Sequence, residues 1–526
     1  MKRKIQVVIC RVCSQGVPVL DVDKLAKTAS EAPYVCSVVT VDYACQSKTI
    51  SSIVEDAKTK GADRVLVVPC SKNDVSPSLF QAYVRRGKIN EFLIETVDLT
   101  NEVILPHRED PARAQEKAET RLAAAVARLA ALEPLERHEE PMRTKNLVVV
   151  GAGVAGLEAA QVAAGHGLHT ILIEKTDRTL KAPGVLLSKS RLVRAKGHGG
   201  NFELVIQAGE KQETLECAAI VVASGGDWSE GKVPLTKACG EAMPLFRLRN
   251  SVDDGALSSG PVVIVDTPDP KGSTMKAQDF AWDDALDLAI SVKKASPETD
   301  VTFLFQEMRA SGLSELTYKE AAQLGVRFIR YDKKSPPTID KKDSKRLTVR
   351  DLAQDEVVSL RFGTLSYASI PANPDNIEIA DALRIPIALD GGIRRGSMQR
   401  GPVMTPRPGI FVCGSAMFPK TEAAARVEGK AAGVLATQFI ASGAVEYGGA
   451  VASVTPEKCS ACLTCVRTCP YEAPFIGAAG KAEIREQLCQ GCGICAGICP
   501  SKAIDIHNYT DEQLSIETEA YLRGGF

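Results

Sequence analysis

Two identically spaced cysteine runs near the end of the chain limit its fold more than any other feature. Cys459, Cys462, Cys465 and Cys469 are followed by Pro470, and Cys489, Cys492, Cys495 and Cys499 by Pro500. Thiolates two residues apart let one short loop wrap a cubane and supply three ligands, and the proline turns the chain away after the fourth. Zinc also accepts four-cysteine sites. Zinc motifs rarely repeat such a run with equal spacing and a trailing proline in both copies, so two [4Fe-4S] clusters are expected. Two neighbouring one-electron centres make a relay, not a substrate site.

The run is that of a two-cluster bacterial ferredoxin, in which the fourth cysteine of each copy crosses to the other cluster. One ligand set is then Cys459, Cys462, Cys465 and Cys499, and the other is Cys489, Cys492, Cys495 and Cys469. The remaining eight of the 16 cysteines are five between Cys10 and Cys70 and the scattered Cys217, Cys239 and Cys413. Lys plus Arg total 64 and Asp plus Glu 65, a net charge of −1, which argues against a general nucleic-acid binder. No stretch nears the roughly 20 apolar residues of a membrane span. Ile5–Cys10, behind Lys2-Arg-Lys4, is too short and too β-branched for a signal sequence and is expected to be a core strand. The expectation is a cytoplasmic protein, in a reducing compartment where cysteines serve metal or clusters rather than disulfides.

The middle of the chain carries a nucleotide fingerprint in its proper setting. Asn146-Leu-Val-Val-Val150 reads as a strand, Gly151-Ala-Gly153-Val154-Ala155-Gly156 follows, then a helix to about His166 and a strand Thr170–Ile173 ending at Glu174 and Lys175. Gly151 permits the turn, Gly153 admits a pyrophosphate to the backbone, and Gly156 lets the helix pack closely; the helix N-terminus faces the phosphates. Glu174 is expected to accept from a ribose hydroxyl. Pro408-Gly-Ile-Phe-Val-Cys-Gly414-Ser415, with a small-residue helix from about Thr421 to Gly433, is similar to the closing strand of two-dinucleotide flavoproteins and favours FAD. The second nucleotide fold should begin at Pro261–Pro270, where glycines are missing and Pro268 and Pro270 remove the amides a pyrophosphate needs. Direct oxidation of NAD(P)H by this chain is not expected.

Residues 4–104 alternate strand and helix as a small doubly wound unit, and Ala112–Leu132 reads as one connecting helix. Cys10, Cys13, Cys45 and Cys70 fall just past strand ends, which converge on one crevice in a parallel sheet. A third cluster or ordinary buried thiols both suit that pattern; Cys36 reads as a plain buried cysteine. Lys420, after the closing strand, reads equally as an exposed loop lysine or as a cation beside a flavin, and Glu422 with Arg426 as an i,i+4 pair. The six histidines form no ligand-spaced set.

With these parts in this order, the chain resembles the A subunit of heterodisulfide reductase and its bacterial relatives over nearly its whole length. Val8-Ile-Cys-Arg11, Ala44-Cys-Gln46, Val67-Val-Pro-Cys-Ser71, Leu132-Glu-Pro-Leu135, the glycine run to Gly156, Gly325-Val-Arg-Phe-Ile-Arg330 and Pro419-Lys420 carry the likeness. The resemblance implies FAD, several [4Fe-4S] clusters with Cys10, Cys13, Cys45 and Cys70 as ligands of a third, and Lys420 as the candidate catalytic residue at the flavin. It also implies division of electron pairs at the flavin. The implied partners are other redox subunits of a hetero-oligomer: disulfide-reductase subunits, a hydrogenase or formate dehydrogenase module, or a quinone-interacting membrane complex. There are departures. Glu174 is followed by Lys175-Thr-Asp-Arg-Thr-Leu-Lys-Ala-Pro-Gly184 without the family's cysteine-bearing insertion, and Val265-Asp-Thr-Pro268 replaces a glycine-containing run.

The expected architecture is an α/β multidomain chain. Residues 1–105 form a small α/β domain with a cluster, 106–145 a connecting helix and linker, and 146–250 and 371–450 a thioredoxin-reductase-like FAD fold. A degenerate NAD(P)-binding-like domain spans 251–370, and a two-cluster ferredoxin domain, read as a mobile or docking arm, spans 451–526. The expected role is that of an electron-transfer subunit. The alternatives are an iron–sulfur relay or scaffold without flavin chemistry, and an NAD(P)H-dependent flavin oxidoreductase subunit.

Overall fold

The structure, a computed structural model, describes residues 3–11, 19–68, 81, 84–176, 182–226, 242–266, 275–340, 342–368, 375–389, 391–396 and 401–524. It forms two compact units, Met1–Glu139 with Glu446–Phe526, and Glu140–Val445.

The first unit begins with a parallel sheet in the order Val35–Val41, Ile5–Cys10, Arg64–Val68, Ile94–Thr96. Every residue of Ile5–Cys10 and Arg64–Val68 is buried, because central parallel strands are covered on both faces; the two polar ones are bonded, Gln6 to Asp56 and Arg64 to the Leu129 and Leu132 carbonyls. Asp21 caps the helix Val22–Glu31 by accepting from the Lys24 N–H, and Asp110 caps the connecting helix Pro111–Ala131 by accepting from the Arg113 N–H. Ala114, Ala118, Leu122, Ala125 and Leu129 recur at three- and four-residue spacing and face the same core as Ile5, Val7 and Ile9.

The tail of this unit is two short antiparallel ladders, Ala452–Val454 with Ile504–Ile506 and Pro474–Ile476 with Ala482–Ile484. The helices Thr464–Thr468 and Ile494–Gly497 follow the ladders' loops. The ferredoxin-like tail is no free arm. Its last helix, Asp511–Leu522, runs along Pro111–Ala131. Arg128 pairs with Glu95 at 3.2 Å and Glu517 at 3.1 Å and lies over the Tyr509 ring. Asn508 and Glu133 exchange hydrogen bonds at 2.8 and 2.9 Å. The connecting helix thus holds the tail as well as the front domain.

The second unit holds two copies of one plan. In the first, parallel strands lie in the order Ile410–Val412, Ala219–Val222, Leu147–Val150, Thr170–Glu174, Val185–Lys189, and the antiparallel strands Arg191–His198, Asn201–Ala208 and Lys211–Cys217 are inserted. In the second, the order is Met243–Pro244, Thr364–Tyr367, Val262–Val265, Val301–Phe305, Arg327–Arg330, with Thr338–Ile339, Arg346–Asp351 and Glu356–Arg361 inserted. This doubled nucleotide fold, with the ferredoxin-like tail, is the α/β class expected. The closing helix Glu422–Ala441 extends past the expected end at Gly433 and packs on Val154–Gly165. A Cβ at Gly429 would lie 2.3 Å from the Ala155 carbonyl oxygen, and one at Gly433 2.6 Å from that of Ala159, so small residues set this helix crossing.

Candidate nucleotide cradle and cluster sites

The three fingerprint glycines have three different explanations. Gly151 has φ of 105°, and a Cβ there would lie 2.3 Å from the Ala223 carbonyl oxygen. A Cβ at Gly156 would lie 1.9 Å from the Gly151 carbonyl oxygen. Gly153 has an ordinary φ of −70° as N-cap of Val154–Gly165, and a Cβ on it would meet nothing within 4 Å. Neither backbone strain nor packing against the protein asks for glycine at that point. Close approach of a ligand's phosphates to the helix N-terminus does.

The rest of the cleft fits a dinucleotide. Glu174 accepts from the Ala152 N–H at 2.8 Å and from the Thr176 N–H and hydroxyl at 3.0 and 2.8 Å, so its carboxylate lies beside the glycine turn. Lys175 forms an ion pair with Asp375. Gly151, Glu174, Lys175, Arg191, Ser224, Asp375 and Glu378 line one cleft that opens to solvent. Gly414 and Ser415 lie in the turn Gly414–Ala416, where a Cβ on Gly414 would lie 2.8 Å from the Ala155 Cβ, so the closing turn abuts the helix start.

Lys420 is not an exposed loop lysine: its side chain is buried and ion-paired to Glu428. The same Glu428 oxygen accepts from the Gly414 N–H at 3.0 Å, and the Lys420 ammonium lies 4.0 Å from the Phe418 ring centroid. Burial pushes the Lys420 ammonium below the usual lysine range while Glu428 pulls it back up. Burial likewise raises the Cys413 thiol to about 12, so it is inert. Glu428 could not be found from sequence spacing because its partners, Lys420 and Gly414, lie before the helix Glu422–Ala441 begins, where its repeat does not apply. Arg426 does bond Glu422, and it also reaches Glu158.

In the tail, Cys459, Cys462, Cys465 and Cys499 line one shallow hollow, and Cys469, Cys489, Cys492 and Cys495 line a second. Each hollow thus draws its fourth thiol from the other run. Backbone N–H groups already point at sulfur: Ala482 at Cys459, Ala503 at Cys499 and Ala452 at Cys489, at 3.3–3.5 Å. Such donors suit sulfurs that carry negative charge on a metal cluster. Among the described residues no three side chains converge on a single ion position. Four thiols around each hollow are the ligand set that one cubane takes.

In the front domain, Cys10 is buried at the carboxyl end of its strand, with its Sγ donating to the Asp42 carbonyl at 3.3 Å, and Cys45 is exposed just past Val41. Cys13 and Cys70 lie outside the described residues, as do Cys239, Pro268 and Pro270. Cys36 is exposed at the amino end of its strand, not buried as expected, because Val35–Val41 is the sheet's edge strand.

The second nucleotide fold can be laid on the first by its hydrogen bonds. Gly151 N–H donates to the Ile173 carbonyl and Asp266 N–H to the Leu304 carbonyl, both at 2.8 Å. Asp266 therefore stands where Gly151 stands, and Phe305 where Glu174 stands. Asp266 is buried, with its carboxyl raised to about 6 by burial while Arg309 pulls it down.

Comparison with known proteins follows the same lines. Residues 114–225 match the family model described as pyridine nucleotide-disulphide oxidoreductase, and 452–475 and 482–505 match the 4Fe-4S binding domain. The second iron-sulfur A subunit of the CoB--CoM heterodisulfide reductase of Methanopyrus kandleri is 24% identical, covering 89% of this chain and 90% of its own length. The A subunit of the H(2):CoB-CoM heterodisulfide,ferredoxin reductase of Methanothermobacter marburgensis is 24% identical over 99% and 97%. The chain is similar to heterodisulfide reductase A subunits over nearly its whole length. The likeness runs through the front domain, the doubled nucleotide fold and the tail. Among solved structures, the thioredoxin reductase of Lactococcus lactis overlays 57% of this chain and 99% of its own at a TM-score of 0.38 and 18% identity. Among the described residues no helix is long and apolar enough to cross a membrane.

Proposed function

We propose that this heterodisulfide reductase homologue passes electrons between FAD, held in the Gly151–Glu174 cleft, and [4Fe-4S] clusters held by its cysteines, within a complex of redox subunits. The observation that carries the reading is the pair of four-thiol hollows in one chain with a glycine cradle whose Gly153 has no purpose internal to the protein. FAD, when bound, converts between two-electron and one-electron chemistry. The chain's own residues do the rest. The amides after Gly153 hold the pyrophosphate, Glu174 reads the ribose, and Lys420 with Glu428 sets the charge beneath the closing turn. The resemblance adds a third cluster on Cys10, Cys13, Cys45 and Cys70, and division of electron pairs at the flavin between two acceptors. The partners proposed are disulfide-reductase, hydrogenase, formate dehydrogenase or quinone-interacting subunits.

Asp266 and Phe305 support electron entry from a partner rather than from NAD(P)H. A carboxylate at the turn meets a pyrophosphate with like charge, and a phenyl ring offers a ribose no acceptor.

The test is anaerobic purification of the native complex with subunit identification and cofactor counting. About twelve iron atoms and one FAD per chain support the full reading, since each of three cubanes holds four irons. About eight removes the front cluster, and iron without flavin leaves the relay alone. Rapid bleaching of the flavin by NADPH in the isolated chain overturns the partner-fed reading. Splitting of pairs requires reduction of two acceptors in equal amounts from one two-electron donor.

A further inference from the structure

The two cysteine runs are alike in spacing but not in what lies between the cysteines. The first run reads Cys459-Ser460-Ala461-Cys462-Leu463-Thr464-Cys465 and the second Cys489-Gln490-Gly491-Cys492-Gly493-Ile494-Cys495. After the fourth cysteine and its proline, the first run has Tyr471 and the second Ser501. Three short hydroxyls are thus divided between the runs. Because the fourth cysteine crosses over, Ser501 travels with Cys499 into the hollow of the first run. Ser460, Thr464 and Ser501 all line that hollow, while their counterparts Gln490, Ile494 and Tyr471 line the other.

The hydroxyls are close to sulfur. Thr464 Oγ1 lies 3.3 Å from Cys462 Sγ, and Ser501 Oγ lies 3.6 Å from Cys499 Sγ. Lys481 adds a cation: its Nζ donates to the Cys459 carbonyl at 2.7 Å, next to the Ala482 N–H that points at Cys459 Sγ. The matching place beside the other hollow, before Ala452 with its N–H on Cys489 Sγ, is Val451.

Adding an electron to a thiolate-bound cluster adds negative charge to it and to its sulfurs. Hydroxyl donors and a nearby ammonium stabilise that charge and raise the reduction potential. We propose that Ser460, Thr464, Ser501 and Lys481 make the Cys459, Cys462, Cys465 and Cys499 site the higher-potential of the two cluster sites. The inference rests on the proposed reading that both hollows hold clusters. It also gives the relay a direction. Ile506 lines the lower-potential hollow, and two residues on, Asn508 is bonded to Glu133, just past the connecting helix. Ala503 and Ile504 line the higher-potential hollow, further back along the same strand. Electrons in the tail therefore run downhill away from its anchorage on the connecting segment.

The test is a redox titration of the full-length, anaerobically purified chain, followed by electron paramagnetic resonance. Two unequal midpoints are expected. Thr464→Val with Ser501→Ala should lower the higher midpoint and leave the lower one in place, and Lys481→Met should do the same. Ile494→Thr, placing a hydroxyl in the other hollow, should raise the lower midpoint; it serves also if the first variants lose a cluster. Equal midpoints in the unaltered chain, or a fall in the lower midpoint alone, would overturn the inference while leaving the relay intact. Absence of iron from the tail would instead overturn the reading beneath it.

Discussion

Gly153 and Gly156 make opposite predictions although they stand three residues apart. In Gly153→Ala the new methyl meets no protein atom within 4 Å and φ of −70° suits alanine. The fold should be unharmed, since the gain of about 0.4–1 kcal/mol from a less flexible unfolded chain offsets the poorer cap that alanine makes. The methyl instead fills the space a pyrophosphate must enter. Losing two hydrogen bonds to a charged group, at about 1.5–3 kcal/mol each, removes about 3–6 kcal/mol, or roughly 10²- to 10⁴-fold in the flavin Kd. In Gly156→Ala the methyl lands 1.9 Å from the Gly151 carbonyl oxygen, where ordinary contact begins near 3.4 Å, so the turn and helix must part by 3.4 − 1.9 = 1.5 Å. Overpacking of that size costs about 3 kcal/mol or more and acts on the fold before any ligand is added. The assay is paired: thermal unfolding of flavin-free protein by circular dichroism, and titration of that protein with FAD. Gly153→Ala should melt close to the unaltered chain yet bind flavin at least about 100-fold more weakly. Wild-type flavin affinity in Gly153→Ala, or an undiminished melting temperature in Gly156→Ala, would refute the division of labour between the two glycines.

Other expectations concern charge, strain and docking. Asp266 has its folded pKa raised from 3.8 to about 6 by burial, so its ionised form costs nothing below its unfolded pKa and the full penalty above about pH 6. That penalty is (6 − 3.8) × 1.36, or about 3 kcal/mol. Asp266→Asn should therefore stabilise the second nucleotide fold at pH 7.5, with the gain shrinking towards pH 4.5; a gain independent of pH in thermal melts would contradict this. Leu463 and Gly493 occupy matched positions with φ of 64° and 77°. Gly493→Ala should cost about 1 kcal/mol, seen as faster cluster loss on warming, and Leu463→Gly should not. Arg128→Ala leaves Glu95 and Glu517 without their shared partner at a half-buried contact, at about 2–3 kcal/mol. Limited proteolysis should then release the C-terminal module, and an unchanged digestion pattern would argue against Arg128 as its anchor.

The amino-acid sequence alone determined the parts of this protein whose chemistry depends on near neighbours. Ligands around a cubane, and glycines around a turn, must lie within a few residues of each other, so C-x2-C-x2-C-x3-C-P and G-x-G-x-x-G can be read directly. Tertiary structure decided everything that depends on segments far apart in the chain meeting. Asp266 could be set against Gly151, and Phe305 against Glu174, only once strand register was known. Lys420 found Glu428 through the packing of a strand-end loop on the closing helix. Arg128 and Glu517 stand 389 positions apart, so local spacing carries no trace of the contact that fixes the tail. The exposure of Cys36 has the same origin, since a strand's own residues do not say whether it will lie at the edge of its sheet.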